Sequence, residues 1–344
     1  MRLSICFGLV LVACGSWNAE AQQPQAHSPE VATAQATTEP VIDMDTVVVS
    51  GAQPGPGLWR VSRDGHMLYI LGTQSPLPKR MIWLSRDVEQ VIAASQEAIK
   101  PPRVKVDADI GIIRGALLIP SMLKARRNPD DQTLRQVLPP ELYARWEMLK
   151  TRYLGRDKGV EKWRPIFAAR ELYEAALKRA GLAESGIVSP VVDKAIKQHG
   201  LKVTTPLLSF KVEQPRQALK EFAGTQLDDS ACFRATLDRV ENDLPLMAAR
   251  ANAWAVGDIP TLRALPYGDQ NRTCAQVLTE TEFARKRGIA NVAAALQDQW
   301  LEAAENALRT NASTFATLPI SELLRSDGPL AKLQAKGYQV EAPE

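Results

Sequence analysis

The sequence predicts a mixed α/β (α+β) fold, in which a small mixed sheet formed by strands from the two chain ends accompanies a large helical middle region. Strand-like runs lie near the beginning of the chain, at Leu58 to Ser62 and Met67 to Leu71, and another lies near its end, at Gly337 to Val340. Across about residues 108–310, apolar residues recur mainly at helical spacing. We therefore expect one folded domain over residues 46–344.

The first residues are typical of an export signal. Met1-Arg2 places a positive charge before an apolar run from Leu3 to Ala13, which is too short to cross a hydrocarbon core of about 30 Å as a helix. The Ala19-Glu20-Ala21 stretch fits the small-x-small pattern of ordinary signal peptidase. This pattern predicts a signal peptide at residues 1–21 and a mature chain that begins at Gln22.

A second cleavage route stays open. Leu11-Val12-Ala13-Cys14 fits a lipobox, in which Cys14 would be acylated and would anchor a lipoprotein to the membrane. Both routes predict a protein that works outside the cytoplasm, in the periplasm or secreted. No later segment has about 18 consecutive apolar residues, so we expect no transmembrane span.

The elements that follow are predicted in chain order. Residues 22–45 are rich in Gln, Ala, Thr and Pro, a composition that predicts a flexible linker. The β-branched run from Thr46 to Val49 is expected to begin the folded structure. The next two strands are joined by Arg63-Asp64-Gly65-His66, whose Asp-Gly pair favours the positive φ angles of a hairpin turn.

Helical signals dominate the middle of the chain. Ser85 can N-cap a helix through Ala94, and apolar stripes such as Leu142, Trp146 and Leu149 predict buried helix faces. A further strand is predicted at Lys202 to Leu208, after a helix that ends near Gly200.

Cysteine usage predicts one disulfide. Cys6 and Cys14 lie in the export segment, so Cys232 and Cys274 are the thiols that remain in a mature chain beginning at Gln22. Because the expected compartment is oxidising, we predict that these two cysteines are bonded. Two buried, unpaired thiols are the alternative.

Composition and motifs argue against several classes of function. The net charge is +3 over 344 residues, and the short basic clusters at Lys124 to Arg127 and Arg285 to Arg287 favour solvated helix faces, so no nucleic-acid partner is predicted. The histidines, His27, His66 and His199, lie far apart. No zinc motif and no phosphate-binding glycine loop is present, so no metal and no cofactor is predicted.

One motif resembles a known family. The run from Tyr69 to Pro78 reads Tyr-Ile-Leu-Gly-Thr-Gln-Ser-Pro-Leu-Pro and resembles the opening motif of the TraB/GumN family, a strand followed by Gly-Thr-x-His and a nearby proline. The resemblance spans Gly57 to Val340 and implies that the strand ending at Gly72 shares a sheet with strands near Phe315 and Val340. Positions on both sides of this motif follow the family's pattern in order: Trp59 before it, and Gln214, Trp254 to Asp258, and Asp327 to Tyr338 after it.

The resemblance also implies a site whose usual ligands are replaced. Ser75 stands where the family motif has histidine, Pro101 and Ser209 stand where it has glutamates, and Glu322 stands where it has a second histidine. Ser75 and Glu322 are expected to face a shared cleft. The candidate degenerate site consists of Gly72, Thr73, Ser75, Pro101, Ser209 and Glu322.

These replacements favour a binding or structural role in the bacterial envelope over catalysis. Tiki-like relatives are metal-dependent peptidases, and that mechanism needs ligands that hold a cation and activate its water. A proline and a serine are poor substitutes, so the resemblance implies a pseudoenzyme. Two alternatives stay open: a metal-dependent hydrolase or peptidase with substituted ligands, and a lipid-anchored interaction module. The envelope ligand or protein that would be its partner is not identified by the sequence.

Overall fold

The structure is a computed structural model that describes residues 52–53, 55–108, 115–268, 270–289 and 291–343. The predicted signal peptide, Cys14, the predicted linker and the strand expected at Thr46 to Val49 lie outside the described residues, and they stay predictions. None of the described helices is long and apolar enough to cross a membrane.

The described strands are short, and most of them lie in one sheet or in small pairs beside it. They are β1 (Ala52–Gln53), β2 (Leu58–Arg63), β3 (His66–Thr73), β4 (Leu77–Pro78), β5 (Ile82–Trp83), β6 (Glu97–Ile99), β7 (Arg103–Ala108), β8 (Leu182–Ala183), β9 (Lys202–Thr204), β10 (Leu207–Val212), β11 (Ser313–Pro319) and β12 (Gln339–Glu341).

Helices fill most of the described middle region. They are α1 (Arg86–Ala93), α2 (Ile119–Ala125), α3 (Leu134–Val137), α4 (Pro140–Tyr153), α5 (Pro165–Arg179), α6 (Val188–Gln198), α7 (Pro215–Gly224), α8 (Ser230–Asp238), α9 (Leu244–Ala255), α10 (Ile259–Ala264), α11 (Gln270–Thr279), α12 (Glu282–Lys286), α13 (Val292–Thr310), α14 (Ile320–Leu323) and α15 (Pro329–Ala335). Short 3-10 turns lie at Pro129–Asp131 and Gly159–Lys162, and a π turn at Arg239–Asp243 joins α8 to α9.

The main sheet brings the two chain ends together. Its strand order is β12-β2-β3-β11-β6-β9, with antiparallel pairing from β12 to β3 and parallel pairing from β3 to β9. The predicted mixed α/β class is confirmed, and so is the expectation that the strand ending near Gly72 shares a sheet with strands at Phe315 and Val340. The central strand β11 is buried from Thr314 to Leu318, as expected for a strand with parallel neighbours on both sides.

The N-terminal hairpin forms as the Asp-Gly pair predicts. Strands β2 and β3 pair from Leu58↔Leu71 to Arg63↔His66, and the turn has Asp64 at φ 52° and Gly65 at φ 83°. Glycine adopts such angles without steric cost, and aspartate tolerates them better than most residues. The hairpin aligns β3 so that its last residues reach the edge of the sheet.

The strand predicted at Lys202 to Leu208 is two strands in the structure. Strand β9 ends at Thr204 and adds an edge to the main sheet, whereas β10 begins at Leu207 and pairs with β7. Pro206 lies between them, and a proline has no N–H to continue a ladder. The sheet is therefore built from the two chain ends plus one strand from the middle of the chain.

Two apolar clusters hold the fold together. One surrounds the main sheet and includes Trp59, Trp254 and Trp300, each no more than 1% exposed. The second lies in the helical middle and contains the predicted stripe of Leu142, Trp146 and Leu149 from α4. These side chains confirm the buried helix faces expected from their spacing.

The predicted disulfide is present. Cys232 of α8 is bonded to Cys274 of α11, with Cα atoms 4.7 Å apart across a sequence separation of 42. Helices α8 and α11 also pack against each other. The bond therefore ties a helix of the second core to a helix whose first residues reach the cleft described below.

Candidate functional site

The carboxyl ends of two parallel strands define the candidate site. In the pairing of β3 with β11, Gly72 lies opposite Leu318 and Thr73 opposite Pro319, so both strands end at the same edge. The Thr73 hydroxyl donates to the Leu318 carbonyl oxygen at 3.2 Å. Ligand sites of open α/β sheets lie outside this edge, where the connecting segments diverge.

A cleft of about 700 Å³ lies at this edge. It is walled by the segments that follow β3 and β11 and by residues of the α8 to α11 region. Both Ser75 and Glu322 line it, as the family resemblance implies. The lining side chains that carry its chemistry are Thr73, Gln74, Ser75, Glu184, Arg239, Arg250, Arg263, Tyr267, Arg272, Glu322 and Arg325.

Three other predicted site residues do not line the cleft. Gly72 packs below it: its carbonyl accepts the Trp254 indole N–H at 2.8 Å, and a Cβ at this position would lie 2.7 Å from Trp59 Cζ3. Pro101 follows β6, and Ser209 is exposed in β10, opposite Lys105. The fold therefore brings together three of the six predicted site residues, Thr73, Ser75 and Glu322.

Ser75 is already hydrogen-bonded. Its hydroxyl donates to the Glu184 carbonyl oxygen at 3.0 Å, which ties the end of β3 to the segment after β8. The Glu184 carboxylate forms an ion pair with Arg170, which lies outside the cleft and also pairs with Glu174. These contacts give Ser75 a local role in shaping the cleft wall.

Glu322 is placed by the short helix α14, which begins directly after β11. Burial raises the pKa of its carboxyl group, and the charge of Asp327 raises that pKa further. Arg325 lies nearby, with its Nε 3.7 Å from Glu322 Oε2, but its guanidinium is hydrogen-bonded to Asp327 at 2.9 and 2.5 Å. Glu322 therefore shares a cation that a second carboxylate holds more closely.

One buried and one partly buried arginine stand in the cleft wall and share one carboxylate. Arg250 is 2% exposed, and its Nη2 donates to both carboxylate oxygens of Asp243 at 2.8 and 2.7 Å. The Nε of Arg239 lies 3.5 Å from the same carboxylate, and its Nη1 donates to the Gln270 side chain at 2.8 Å. Arg239, Arg250 and Asp243 together therefore carry a net charge of +1.

Polar side chains fix the inner surface of the cleft. Gln74 is 5% exposed, and its amide donates to the Ser75 carbonyl oxygen at 3.2 Å. The Tyr267 hydroxyl donates to Gln74 Oε1 at 3.4 Å, and the Arg250 guanidinium lies 5.2 Å from the Tyr267 ring centre. Burial raises the pKa of Tyr267 to about 12, so its hydroxyl keeps its proton at neutral pH.

Comparison with known proteins identifies the family of the chain. The sequence profile of the TraB/PrgY/gumN family matches residues 57–342, which is most of the chain. The chain belongs to the TraB/PrgY/gumN family. The resemblance inferred from the motif at Tyr69 to Pro78 is thus confirmed. Searches of curated proteins and of solved structures found no match.

The cleft of this family member does not fit the ligand set of a catalytic zinc site. Such a site takes three protein ligands and keeps one position open. The described residues contain no group of three or more His, Cys, Asp and Glu side chains that could hold a metal ion. In the cleft itself, the Ser75 hydroxyl is engaged and Glu322 is accompanied by arginines, which repel a cation.

The arginines of the cleft were not predicted from the sequence, because they come from separate parts of the chain. Arg239, Asp243 and Arg250 follow one another at spacings of four and seven, which place residues on one face of a helix. That spacing was the available signal, although it does not say what the face adjoins. Arg263, Arg272 and Arg325 join them through tertiary structure alone.

Proposed function

We propose that this TraB-family protein is exported and acts in the bacterial envelope as a binding protein that has lost metal-dependent catalysis. One observation carries the proposal. At the edge where β3 and β11 end, the cleft offers a hydrogen-bonded serine, two carboxylates and several arginines in place of a metal-ligand set.

The charge of the cleft supports the loss of catalysis. A divalent cation next to Glu322 would also lie near the Arg325 guanidinium, whose Nε is 3.7 Å from Glu322 Oε2, and like charges at short range repel each other. The Arg325 guanidinium, which is the cation nearest to the Glu322 carboxylate, is itself held by Asp327, so a metal ion would have to displace or approach this pair.

The form of the cleft supports binding. Its volume of about 700 Å³ lies within the range usual for small-molecule sites, roughly 300–1,000 Å³. Its inner polar groups, Arg250 and Gln74, are buried and hydrogen-bonded, so they are oriented before any ligand arrives. Such pre-organisation lowers the entropic cost of binding.

Two features support an exported protein. The residues before Gln22 have the pattern of a cleavable signal, and the Cys232–Cys274 disulfide suits an oxidising compartment such as the periplasm. A lipoprotein anchored through Cys14 is the alternative form, which the lipobox at residues 11–14 favours.

Intact-mass analysis of protein recovered from the envelope tests the route of export. We expect a mature chain that begins at Gln22. A diacylglycerol-modified Cys14 at the start of the chain, lost in a Cys14→Ser variant, would replace this expectation with the anchored form.

Metal analysis and a peptidase assay test the loss of catalysis. Mature protein is dialysed against zinc, manganese and cobalt, its bound metal is measured, and a broad peptide library is incubated with it, with and without chelator. We expect far less than one metal ion per chain and no chelator-sensitive cleavage. Stoichiometric metal together with cleavage that Glu322→Ala abolishes, and that an exposed control change, Glu282→Ala, leaves intact, would establish a hydrolase with substituted ligands.

A further inference from the structure

We infer that the cleft recognises an anionic ligand, a small molecule that carries a carboxylate or phosphate group. The inference rests on the proposed function only in taking the cleft as a binding site, and it names the chemical class of what is bound. It comes from the charges and hydrogen bonds of the lining side chains.

Positive charge exceeds negative charge along the described lining. Arginines supply five of its side chains, and carboxylates supply two, Glu184 and Glu322. Behind the lining, Glu184 shares Arg170 with Glu174, Arg325 is held by Asp327, and Arg250 is held by Asp243. When these partners are counted with the lining residues, the arginines still exceed the carboxylates by one. A concave surface with such an excess attracts anions, because low-dielectric walls focus the field into the cleft.

The guanidinium groups of Arg239 and Arg250 are held in fixed positions in the cleft wall. Asp243 accepts two hydrogen bonds from Arg250 and lies 3.5 Å from Arg239 Nε, so one carboxylate faces two cations. Arg250 is further held by its hydrogen bond to the Pro266 carbonyl oxygen. Because both guanidinium groups are fixed, their residual charge is available to a ligand without a further loss of side-chain entropy.

The kind of cation indicates the kind of anion. A guanidinium group is planar and presents N–H donors in a fork that matches the oxygens of a carboxylate or phosphate. Arg263 and Arg272 are exposed residues of the cleft lining and form its rim, where a ligand can reach them from solvent. The Tyr267 hydroxyl and the Gln74 amide add uncharged hydrogen-bonding groups to the same cleft.

The negative charge of Glu322 should weaken binding of an anion, so a change at Glu322 tests the sign of the ligand's charge. Its carboxylate lies in the same cleft as the arginines, so its charge repels the ligand that they attract. Removing that charge should strengthen binding of an anion and should leave binding of a neutral molecule unchanged. Loss of a merely structural contact would not produce this pattern.

The inference is tested by calorimetric titration of the mature protein at pH 7 and constant ionic strength. The probes are inorganic phosphate, glucose 6-phosphate, glucuronate and uncharged glucose. Constant ionic strength matters because salt screens exposed charges over about 10 Å. We expect the three anions to bind and glucose to bind at least about tenfold more weakly, which corresponds to the loss of one charge-assisted hydrogen bond.

Variants assign the binding to the cleft. The exposed rim pair Arg263→Gln and Arg272→Gln should weaken anion binding about tenfold together. Glu322→Gln should tighten it several-fold, and Arg86→Gln, an equally exposed arginine on α1 away from the cleft, should change nothing.

The outcomes separate this inference from the proposed function. Equal affinity for glucose and glucose 6-phosphate, undiminished binding by the rim variant, or no anion binding at millimolar concentration would each overturn the anion inference. None of these results bears on metal content or peptidase activity. Conversely, chelator-sensitive cleavage would overturn the loss of catalysis while leaving the anion titration as measured.

Discussion

Asp229 is a buried carboxyl group that precedes one helix and accepts a hydrogen bond from the first turn of another. It is 4% exposed, precedes α8, and its Oδ2 accepts the Ile166 N–H of α5 at 2.8 Å. Burial raises its pKa from 3.8 to about 6, although the nearby Arg164 guanidinium acts in the opposite direction. The folded chain thus binds the proton of Asp229 more tightly than the unfolded chain does.

This shift predicts a pH-dependent stability. Protonation favours the folded state, so the contribution of Asp229 is fully present below pH 3.8 and is lost as the pH rises through about 6. At about 1.4 kcal/mol per pH unit, the loss is roughly 3 kcal/mol. In Asp229→Asn, whose carbonyl can still accept from Ile166, the free energy of unfolding should rise relative to wild type by about that amount between pH 4 and pH 7.

Urea denaturation at a series of pH values measures this difference. Asp228→Asn is the matched control, since Asp228 is the exposed neighbour and should give a nearly constant difference. Parallel pH profiles for wild type and Asp229→Asn would contradict the prediction.

Gly72 links the family motif to packing. A Cβ at this position would lie 2.7 Å from Trp59 Cζ3 and 3.0 Å from Ile320 Cγ1, and both neighbours are buried. Gly72→Ala should therefore lower the free energy of unfolding by roughly 1–3 kcal/mol, the usual cost of overpacking a core. Gly224→Ala is the control, because a Cβ there meets nothing within 4 Å. Equal denaturation midpoints for the two variants would refute the role given to Gly72.

At the scale of elements, turns and helix starts could be predicted from neighbouring residues, whereas the pairing of distant strands could not. The β2–β3 hairpin follows from its Asp-Gly turn, and Asp258 caps α10 by accepting the Thr261 N–H at 3.0 Å. In contrast, Ser85 precedes α1 as predicted but makes no capping bond, because its hydroxyl is hydrogen-bonded to the Glu89 carboxylate. The capping preference of serine thus predicted where the helix starts but not which hydrogen bond the serine side chain makes.

The Cys232–Cys274 disulfide joins two helices, and its contribution to the free energy of unfolding can be calculated from the length of the loop that it closes. It closes a separation of 42 residues between α8 and α11, and the loop-entropy relation gives about 4 kcal/mol for a loop of this length. The double variant Cys232→Ser, Cys274→Ser should lose stability of that order. Urea denaturation with and without a reducing agent measures it, because reduction should bring wild type to the level of the variant and leave the variant unchanged. A wild-type protein insensitive to reduction would contradict the prediction.

At the scale of the whole molecule, the family resemblance predicted more of the candidate site than the spacing of residues did. Ser75 and Glu322 are far apart in sequence, and no spacing rule brings them together. The parallel pairing of β3 with β11 does so, and the resemblance implied that the two strands share a sheet. The arginine wall could not be predicted in this way, because it depends on how α9, α10 and α11 pack beside the sheet rather than on any motif.

The meeting of the chain ends also predicts what the last residues contribute. Strand β12 pairs with β2 from Gln339↔Ser62 to Glu341↔Arg60 and covers that edge of the sheet. Tyr338, just before it, is 6% exposed and lies 4.6 Å beneath the Arg63 guanidinium. A chain that ends at Lys336 loses both contacts and leaves β2 as an open edge.

Because burial of one large apolar side chain contributes roughly 1.5–3 kcal/mol, the truncated chain should lose at least about that much free energy of unfolding. Its exposed edge should also promote association, since unpaired strand groups accept a second chain. Urea denaturation measures the first effect and light scattering at increasing concentration measures the second. Tyr338→Phe keeps the ring and the strand and should behave as wild type. A truncated chain with unchanged stability and no association would mean that β12 does not hold the N-terminal hairpin in the folded protein.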